Sequence, residues 1–299
     1  MKDAILLFRS AVTIMTPLIF AAAGGLYSTL AGKLNIALEG LLLTGAFSAL
    51  AAFCFTGSFT AALAAAVLAS LALSILLAFT TLVLRSNVFI CGLAVNILSG
   101  GLCVVLADKL FNTKGVIAPE ISLRLPQADI PLIKDIPLIG SLFSGYSWFV
   151  YAGLFLLFLS WLIIYKTPFG YRLRACENCD AALDSLGIKP DLYRFAAFLV
   201  TGFFCGIGGA YLSLNLGAFV PGMSAGKGWI ALVVIFLGGR RPLGLLAAAF
   251  LLGLAEAFSN YAQGLWKIPA DFILALPYFC ALFAMVAVSI RTKWKSDFL

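Results

Sequence analysis

Tyr171-Arg-Leu-Arg-Ala-Cys-Glu-Asn-Cys-Asp-Ala-Ala-Leu-Asp-Ser-Leu-Gly-Ile188 is a polar island in an apolar chain. Arg172, Arg174, Glu177, Asn178, Asp180 and Asp184 crowd into it. Hydrocarbon cannot hold side chains of that polarity at that density. The segment 166–190 therefore lies in water beside a membrane and is expected to fold as a short surface helix. Gly187 suits the position just past the end of such a helix. Its mixed charges, together with the small Ala175, Ala181 and Ala182, suit insertion into the groove of a soluble partner. A solvated loop helix with no partner is the plainer alternative.

Outward from this island, the composition describes a membrane protein. The 299 residues are 63% hydrophobic and 11% charged, with a mean hydropathy of +1.07. A soluble domain carries about 25% charged residues. Several apolar runs reach about 18 residues or more, enough to cross roughly 30 Å of hydrocarbon. The first, Ala11 to Ala31, is too long for a signal-peptide core and reads as a retained span. The net charge of +7 is accounted for by Lys and Arg anchoring cytoplasmic loops. No basic patch interleaves with exposed aromatics, so nucleic acid is not an expected partner.

The chain has no histidine, which removes the usual general base and metal ligand. Cys54, Cys91, Cys103, Cys205 and Cys280 lie in apolar runs, where cysteine packs as a small hydrophobe. The odd total of seven argues against a complete disulfide framework. Cys176 and Cys179 form a C-x-x-C, but zinc needs about four ligands and no second pair stands nearby. No metal and no cofactor are expected.

The apolar segments are 11–31, 36–57, 59–84, 88–107, 147–165, 193–214, 229–239, 242–260 and 269–290. The expected fold is all-α and polytopic, with about nine (eight to ten) membrane segments in a single domain over 1–299. With the N-terminus outside, twelve of the twenty basic residues fall on the cytoplasmic side, as the positive-inside rule requires. The proline-punctuated stretch 108–146 is then an external loop, and 166–190 is cytoplasmic.

A faint internal repeat supports this layout. Gly24-Gly-Leu-Tyr27 recurs as Gly208-Gly-Ala-Tyr211, and Gly32-Lys-Leu-Asn-Ile-Ala-Leu38 as Gly226-Lys-Gly-Trp-Ile-Ala-Leu232. Two sets of four segments separated by one odd span must be inverted across the membrane. Inverted repeats mark transporters, with the solute path at their interface. The segment 229–239 spans roughly 16 Å as a helix, about half a bilayer. Gly217, Pro221, Gly222, Gly226 and Gly228 precede it, so a broken or re-entrant element is expected there, covered by protein or lining a cavity. Gly226-Lys227-Gly228 is not a phosphate loop, because Pro221 and Gly228 stand where that motif needs Gly and Ser or Thr. Any ATPase must be another chain.

Polar residues inside the spans are the candidates for a solute path. Asn35 and Glu39, spaced four apart, share a helix face. Glu39 either lines a path or helps cap its own helix. Asn96 and Ser99 lie within 88–107, and Glu256, Ser259 and Asn260 close 242–260; such residues line a path or bond neighbouring helices. Trp229 opens the broken segment. Gly202-x-x-x-Gly206 followed by Gly208-Gly209 reads as a close helix-packing surface.

Three stretches carry a family likeness: Thr16-Pro-Leu18 through Asn35-Ile-Ala-Leu-Glu-Gly40, Tyr171 through Ile188, and Phe219-Val-Pro-Gly-Met-Ser-Ala-Gly-Lys-Gly-Trp-Ile-Ala231 followed by Gly238 and Pro242-Leu-Gly244. Together they resemble the inner-membrane permeases of ABC importers for simple sugars, nucleosides and branched-chain amino acids. Asn35 to Gly40 is most similar to the nucleoside and simple-sugar branch. Glu177 departs from the family, which often has glycine there, and the short N-terminus resembles members without an extra leading span. The resemblance implies a non-catalytic, multi-pass permease subunit of the bacterial cytoplasmic (inner) membrane. It implies pairing with a second permease, as homo- or heterodimer, with cytoplasmic ABC ATPases and with an external substrate-binding protein. The ATPase would contact Arg172, Arg174, Ala175, Asn178, Ala181, Ala182 and Gly187. A path through Asn35, Glu39, Asn96, Ser99, Trp229, Glu256 and Asn260 would carry nucleosides or related small polar solutes by alternating access. Alternatives are simple sugars, riboflavin-like solutes, amino acids, or an ion-coupled secondary transporter. The last would need intramembrane ion sites, for which only Glu39, Glu256 and Asp271 qualify. An intramembrane enzyme would need a nucleophile–base pair, and none is recognisable.

Overall fold

The structure is a computed structural model that describes residues 2–119, 125–128, 142, 144–263 and 278–286. Its helices are α1 (Lys2–Leu30), α2 (Leu38–Thr56), α3 (Phe59–Ala78), α4 (Val88–Phe111), α5 (Trp148–Lys166), α6 (Pro168–Ala175), α7 (Asp180–Ser185), α8 (Pro190–Leu216), α9 (Lys227–Leu237) and α10 (Pro242–Gln263). Among the described residues seven helices are long and apolar enough to cross a membrane, and α9 is the shorter apolar one. Of the nine expected segments, 269–290 is described only over 278–286, which is helical; Asp271 lies outside the described residues. The loop 108–146 is not wholly irregular. Gln127–Ala128 pairs antiparallel with Tyr146–Ser147, and Ile117 exchanges backbone bonds of 2.9 and 2.8 Å with Phe219.

Local chemistry sets the ends of these helices. The Asn87 side chain accepts the Phe89 N–H at the start of α4, and Thr167 accepts that of Gly170 at the start of α6. Proline occupies the first turn of α6 and α8, where its missing N–H costs nothing. Pro17 is different, because it lies inside α1 and leaves the Thr13 carbonyl without its helical donor. The Tyr211 hydroxyl donates to that carbonyl at 3.3 Å.

The packing establishes the inverted repeat. α1 packs against α8, α9 and α10, while α8 packs against α1, α2 and α3. The first helix of each repeat therefore grips the second and third of the other. Their mutual contact is reciprocal. A Cβ on Gly24 would meet Phe204 Cβ at 2.8 Å and Thr201 O at 3.1 Å, and one on Gly208 would meet Phe20 Cβ at 2.9 Å and Pro17 O at 3.5 Å. Phe20 precedes Gly24 as Phe204 precedes Gly208, so equivalent residues swap roles, as across a two-fold axis. Residue 20 faces 208 and 24 faces 204, so the two helices run antiparallel and the repeats are inverted. The small-residue surface of α8 does pack closely: Gly202 and Gly206 lie against Ser74 and Val67 of α3. Ser70 Oγ donates to Leu41 O at 2.8 Å, and Thr201 Oγ1 to Gly24 O at 2.9 Å. Interhelical bonds of this kind hold bundles whose surroundings are as apolar as their cores.

Candidate functional site

Two helices begin inside the bundle, one from each repeat. The chain leaves α1 and runs without helical structure through residues 33–36 before α2 starts. Asn96 braces this break from α4. Its Oδ1 accepts the Gly40 N–H at 2.8 Å and its Nδ2 donates to Ile36 O at 3.0 Å. Asn35 is fully buried, and its Oδ1 accepts the Ala37 N–H at 2.8 Å. In the other repeat, α8 ends at Leu216 and α9 starts only at Lys227. Its eleven residues rise roughly 16 Å, as expected of a half-spanning element.

Glu39 joins the two breaks. It lies in the first turn of α2 but does not cap that helix. Its Oε1 accepts the Gly226 N–H at 2.9 Å and its Oε2 that of Gly228 at 2.7 Å, so it caps α9 across the repeat interface. Carboxylates are favoured at helix N-termini by the free N–H groups and the dipole. Gly228 has to be glycine, since a Cβ there would overlap the Glu39 backbone. Beside this joint, Lys227 Nζ pairs with Glu256 Oε1 at 2.6 Å, both side chains being mostly buried. The Tyr278 hydroxyl donates to Ala225 O at 3.2 Å. Ala225, Lys227, Ile230, Glu256, Ser259, Asn260 and Tyr278 enclose a cavity of about 280 Å³.

At the basic end of the bundle, 166–190 folds as two short helices, α6 and α7, rather than one. The turn 176–179 between them is held open by Arg194. Its Nη2 donates to Cys176 O at 2.8 Å and its guanidinium pairs with Asp180 at 2.7 Å, so Cys176 O is bound outside the helical ladder. Arg174 stacks over Tyr165 and Tyr171, at 4.8 and 5.2 Å from the ring centroids. Leu173 and Leu183 are buried, while Leu186 is 74% exposed beside exposed Ala181 and Ala182. Gly187 takes φ +74° after α7, as expected. Cys176 is buried and Cys179 exposed. Burial pushes the Cys176 thiol above its ordinary pKa, partly offset by nearby Arg194.

Residues 6–289 match the family model described as the permease component of the branched-chain amino acid transport system. The chain belongs to that permease family. It is 32% identical over 284 residues to the guanosine ABC transporter permease protein of Bacillus subtilis (strain 168), covering 90% of this chain and 87% of the relative. Identity is 33% over 275 residues to the nucleoside ABC transporter permease protein of Lactococcus lactis subsp. cremoris (strain MG1363), with 88% and 86% covered. An ABC transporter permease of Haloferax volcanii, provisionally assigned to glucose, is 30% identical over 264 residues, with 87% and 78% covered.

In this permease the structure gathers some of the expected path residues and separates others. Glu256 and Asn260 line the cavity, and Glu39 borders it through Gly226. Trp229 is 42% exposed but does not line it. Asn35 and Ser99 are fully buried behind the α2 break. Among the described residues, Asn35 Nδ2 and Ser99 Oγ have no hydrogen-bond partner. Sequence reasoning passed over Lys227 and Tyr278. A lysine inside a Gly-rich break, within reach of an acid in the next span, was the signal for the first. Tyr278 carried none, since its approach to Ala225 depends on the turn beneath it.

Proposed function

We propose that this chain is the translocating subunit of an ABC importer for nucleosides or related small polar solutes. It would work by alternating access in the cytoplasmic membrane. The observation that carries this reading is the Glu39 joint: the N-termini of α2 and α9, one from each inverted repeat, meet inside the bundle beside a cavity that Lys227, Glu256 and Asn260 help to line. Repeat interfaces built from broken helices are where transporters hold solute. A shift of one repeat against the other would open that joint to one side and then the other. The guanosine and nucleoside permeases among its relatives support a nucleoside as the solute.

In this proposal Lys227, Glu256 and Asn260 face the solute, with Trp229 at the mouth. Asn35, Asn96 and Ser99 hold the α2 break in position. The exposed patch of Ala181, Ala182 and Leu186, flanked by Arg172, Asn178 and Gly187, docks a cytoplasmic ATPase; Ala175 and Arg174 form its base. A second permease copy or homologue and an external binding protein complete the importer, and ATP is hydrolysed on the partner chain.

The test is uptake into cells or proteoliposomes carrying the permease with its co-purifying subunits. Labelled guanosine, adenosine, uridine, glucose and leucine would be compared. Saturable, ATP-dependent nucleoside uptake, competed by other nucleosides but not by glucose or leucine, is the expected result. Uptake of glucose alone would move the solute assignment to sugars. Uptake driven by an ion gradient without ATP would refute the importer reading.

A further inference from the structure

We propose that Glu177 and Arg240 form a strut that carries motion of the 168–187 segment to α9, and so to the cavity. This inference rests on the reading that the segment docks an ATPase.

Glu177 lies in the turn between α6 and α7 and Arg240 in the reversal between α9 and α10. Arg240 Nη2 meets Glu177 Oε2 at 2.6 Å, with the two side chains one-third exposed. The same Nη2 donates to Thr29 O at 3.2 Å, near the end of α1. Arg240 adopts φ +57°, a left-handed conformation that a residue with a Cβ avoids. The backbone of Gly32 rests against Glu177, within 3.1 Å of its Cα when a Cβ is placed there. Three elements therefore converge on one ion pair: the end of α1, the α6–α7 turn and the base of α9.

The segment's other polar ties run to α5 and α8: the Tyr171 hydroxyl donates to Tyr165 O at 2.8 Å and Arg172 Nη1 to the Tyr193 hydroxyl at 2.9 Å. Arg194 binds Cys176 O, Asp180 and Asp191, but Arg194 belongs to α8. That helix is locked between α1, α2 and α3 and offers little freedom. α9 is short, and its far end carries Gly226, Lys227 and Gly228, whose partners are Glu39 and Glu256. A helix of eleven residues transmits a push along its axis without bending. Displacement of the turn would thus reach the cavity through Arg240 and α9, while Arg194 keeps the segment from detaching. Glu177 and Arg240 are positioning residues in this scheme, since neither touches the cavity.

The experiment uses the complete importer in proteoliposomes, with nucleoside uptake and ATP hydrolysis measured together. Glu177→Gln and Arg240→Gln should each leave subunit co-purification intact and hydrolysis running, and lower uptake per ATP by about five- to tenfold. The double variant should be no worse than either single one, because both remove the same contact. The swap Glu177→Arg with Arg240→Glu should recover part of the lost coupling, which a merely destabilised loop would not do. An unchanged ratio of uptake to hydrolysis in both single variants would overturn the strut while leaving the importer intact. Lower yield or thermal stability with that ratio unchanged would likewise reduce the pair to a structural tie. If the wild-type preparation carries no ATPase, or takes up solute without hydrolysis, the docking reading fails and the strut with it.

Discussion

Replacing Glu39 by alanine removes the side-chain hydrogen bonds that, among the described residues, join the starts of α2 and α9. The cost follows from what is left behind. Gly228 is buried, so its N–H, now without the 2.7 Å bond to Oε2, carries the full penalty of an unsatisfied donor, about 1–3 kcal/mol. Gly226 is partly exposed and can turn its N–H toward water, so its loss adds at most about 1 kcal/mol. The carboxylate's interaction with the α9 dipole adds roughly 0.3–1 kcal/mol. The total for Glu39→Ala is about 1–5 kcal/mol. Glu39→Gln should cost about half of that, since the amide oxygen can accept one N–H while its NH2 group faces the other donor. Gly228→Ala separates sterics from charge: it keeps the carboxylate but drives a methyl into the Glu39 backbone, and should be at least as damaging as Glu39→Ala. Thermal unfolding of the purified permease in detergent, read beside uptake, measures all three. Stability of Glu39→Ala within about 0.5 kcal/mol of the parent, the range of a neutral surface change, would refute the view that this carboxylate joins the two repeats.

Four further outcomes are expected. Ala181→Trp and Ala182→Trp should abolish ATPase co-purification while leaving the permease folded, because both alanines are exposed and a tight docking contact tolerates little added volume; full retention of ATPase binding would reduce the segment to a solvated loop. A maleimide at pH 7 should modify Cys179 and spare Cys176, which is buried and whose raised pKa leaves less thiolate at that pH; equal labelling would contradict the α6–α7 packing. Cysteine placed at Lys114 should be labelled from outside intact cells and cysteine at Ala182 should not, and the reverse result would invert the topology. Asn96→Leu should lower both stability and uptake by freeing Gly40 N–H and Ile36 O, and normal behaviour would show that the α2 break needs no brace.

The membrane helices were legible from the sequence for a simple physical reason. A span must be apolar along its whole length and must satisfy its own backbone, so composition alone locates it. The expected segments 36–57 and 147–165 agree closely with α2 and α5, and 59–84 with α3 and the π-helical turn Phe79–Val83 that continues it. The polar island was equally legible as a break between two spans, but not its interior. Nothing local in Ala175-Cys-Glu-Asn-Cys179 forbids a continuous helix. The break there depends on Arg194, which lies fifteen residues beyond Cys179 and reaches back to the Cys176 carbonyl.

The candidate site was legible in its residues and illegible in its connections. Glu39 stood out as a carboxylate in apolar surroundings, and the natural guess was that it serves its own helix. Its actual partners, Gly226 and Gly228, lie 187 and 189 positions away. What brings them together is the two-fold contact between α1 and α8, which lays the start of each repeat's second helix beside the other's. The repeat itself was visible as Gly-Gly-x-Tyr at both places, but only as similarity. Similarity cannot say which copy touches which. Once Phe20 against Gly208 and Phe204 against Gly24 fix the axis, the meeting of α2 and α9 follows from geometry. Glu39 has no counterpart in the second repeat, where Val233 occupies the aligned position. The joint is therefore made once rather than twice: one carboxylate faces two N–H groups of the shorter helix. That asymmetry ties the shorter α9, packed on α1 and α10, to the longer α2, packed on α3, α4 and α8, through a single side chain.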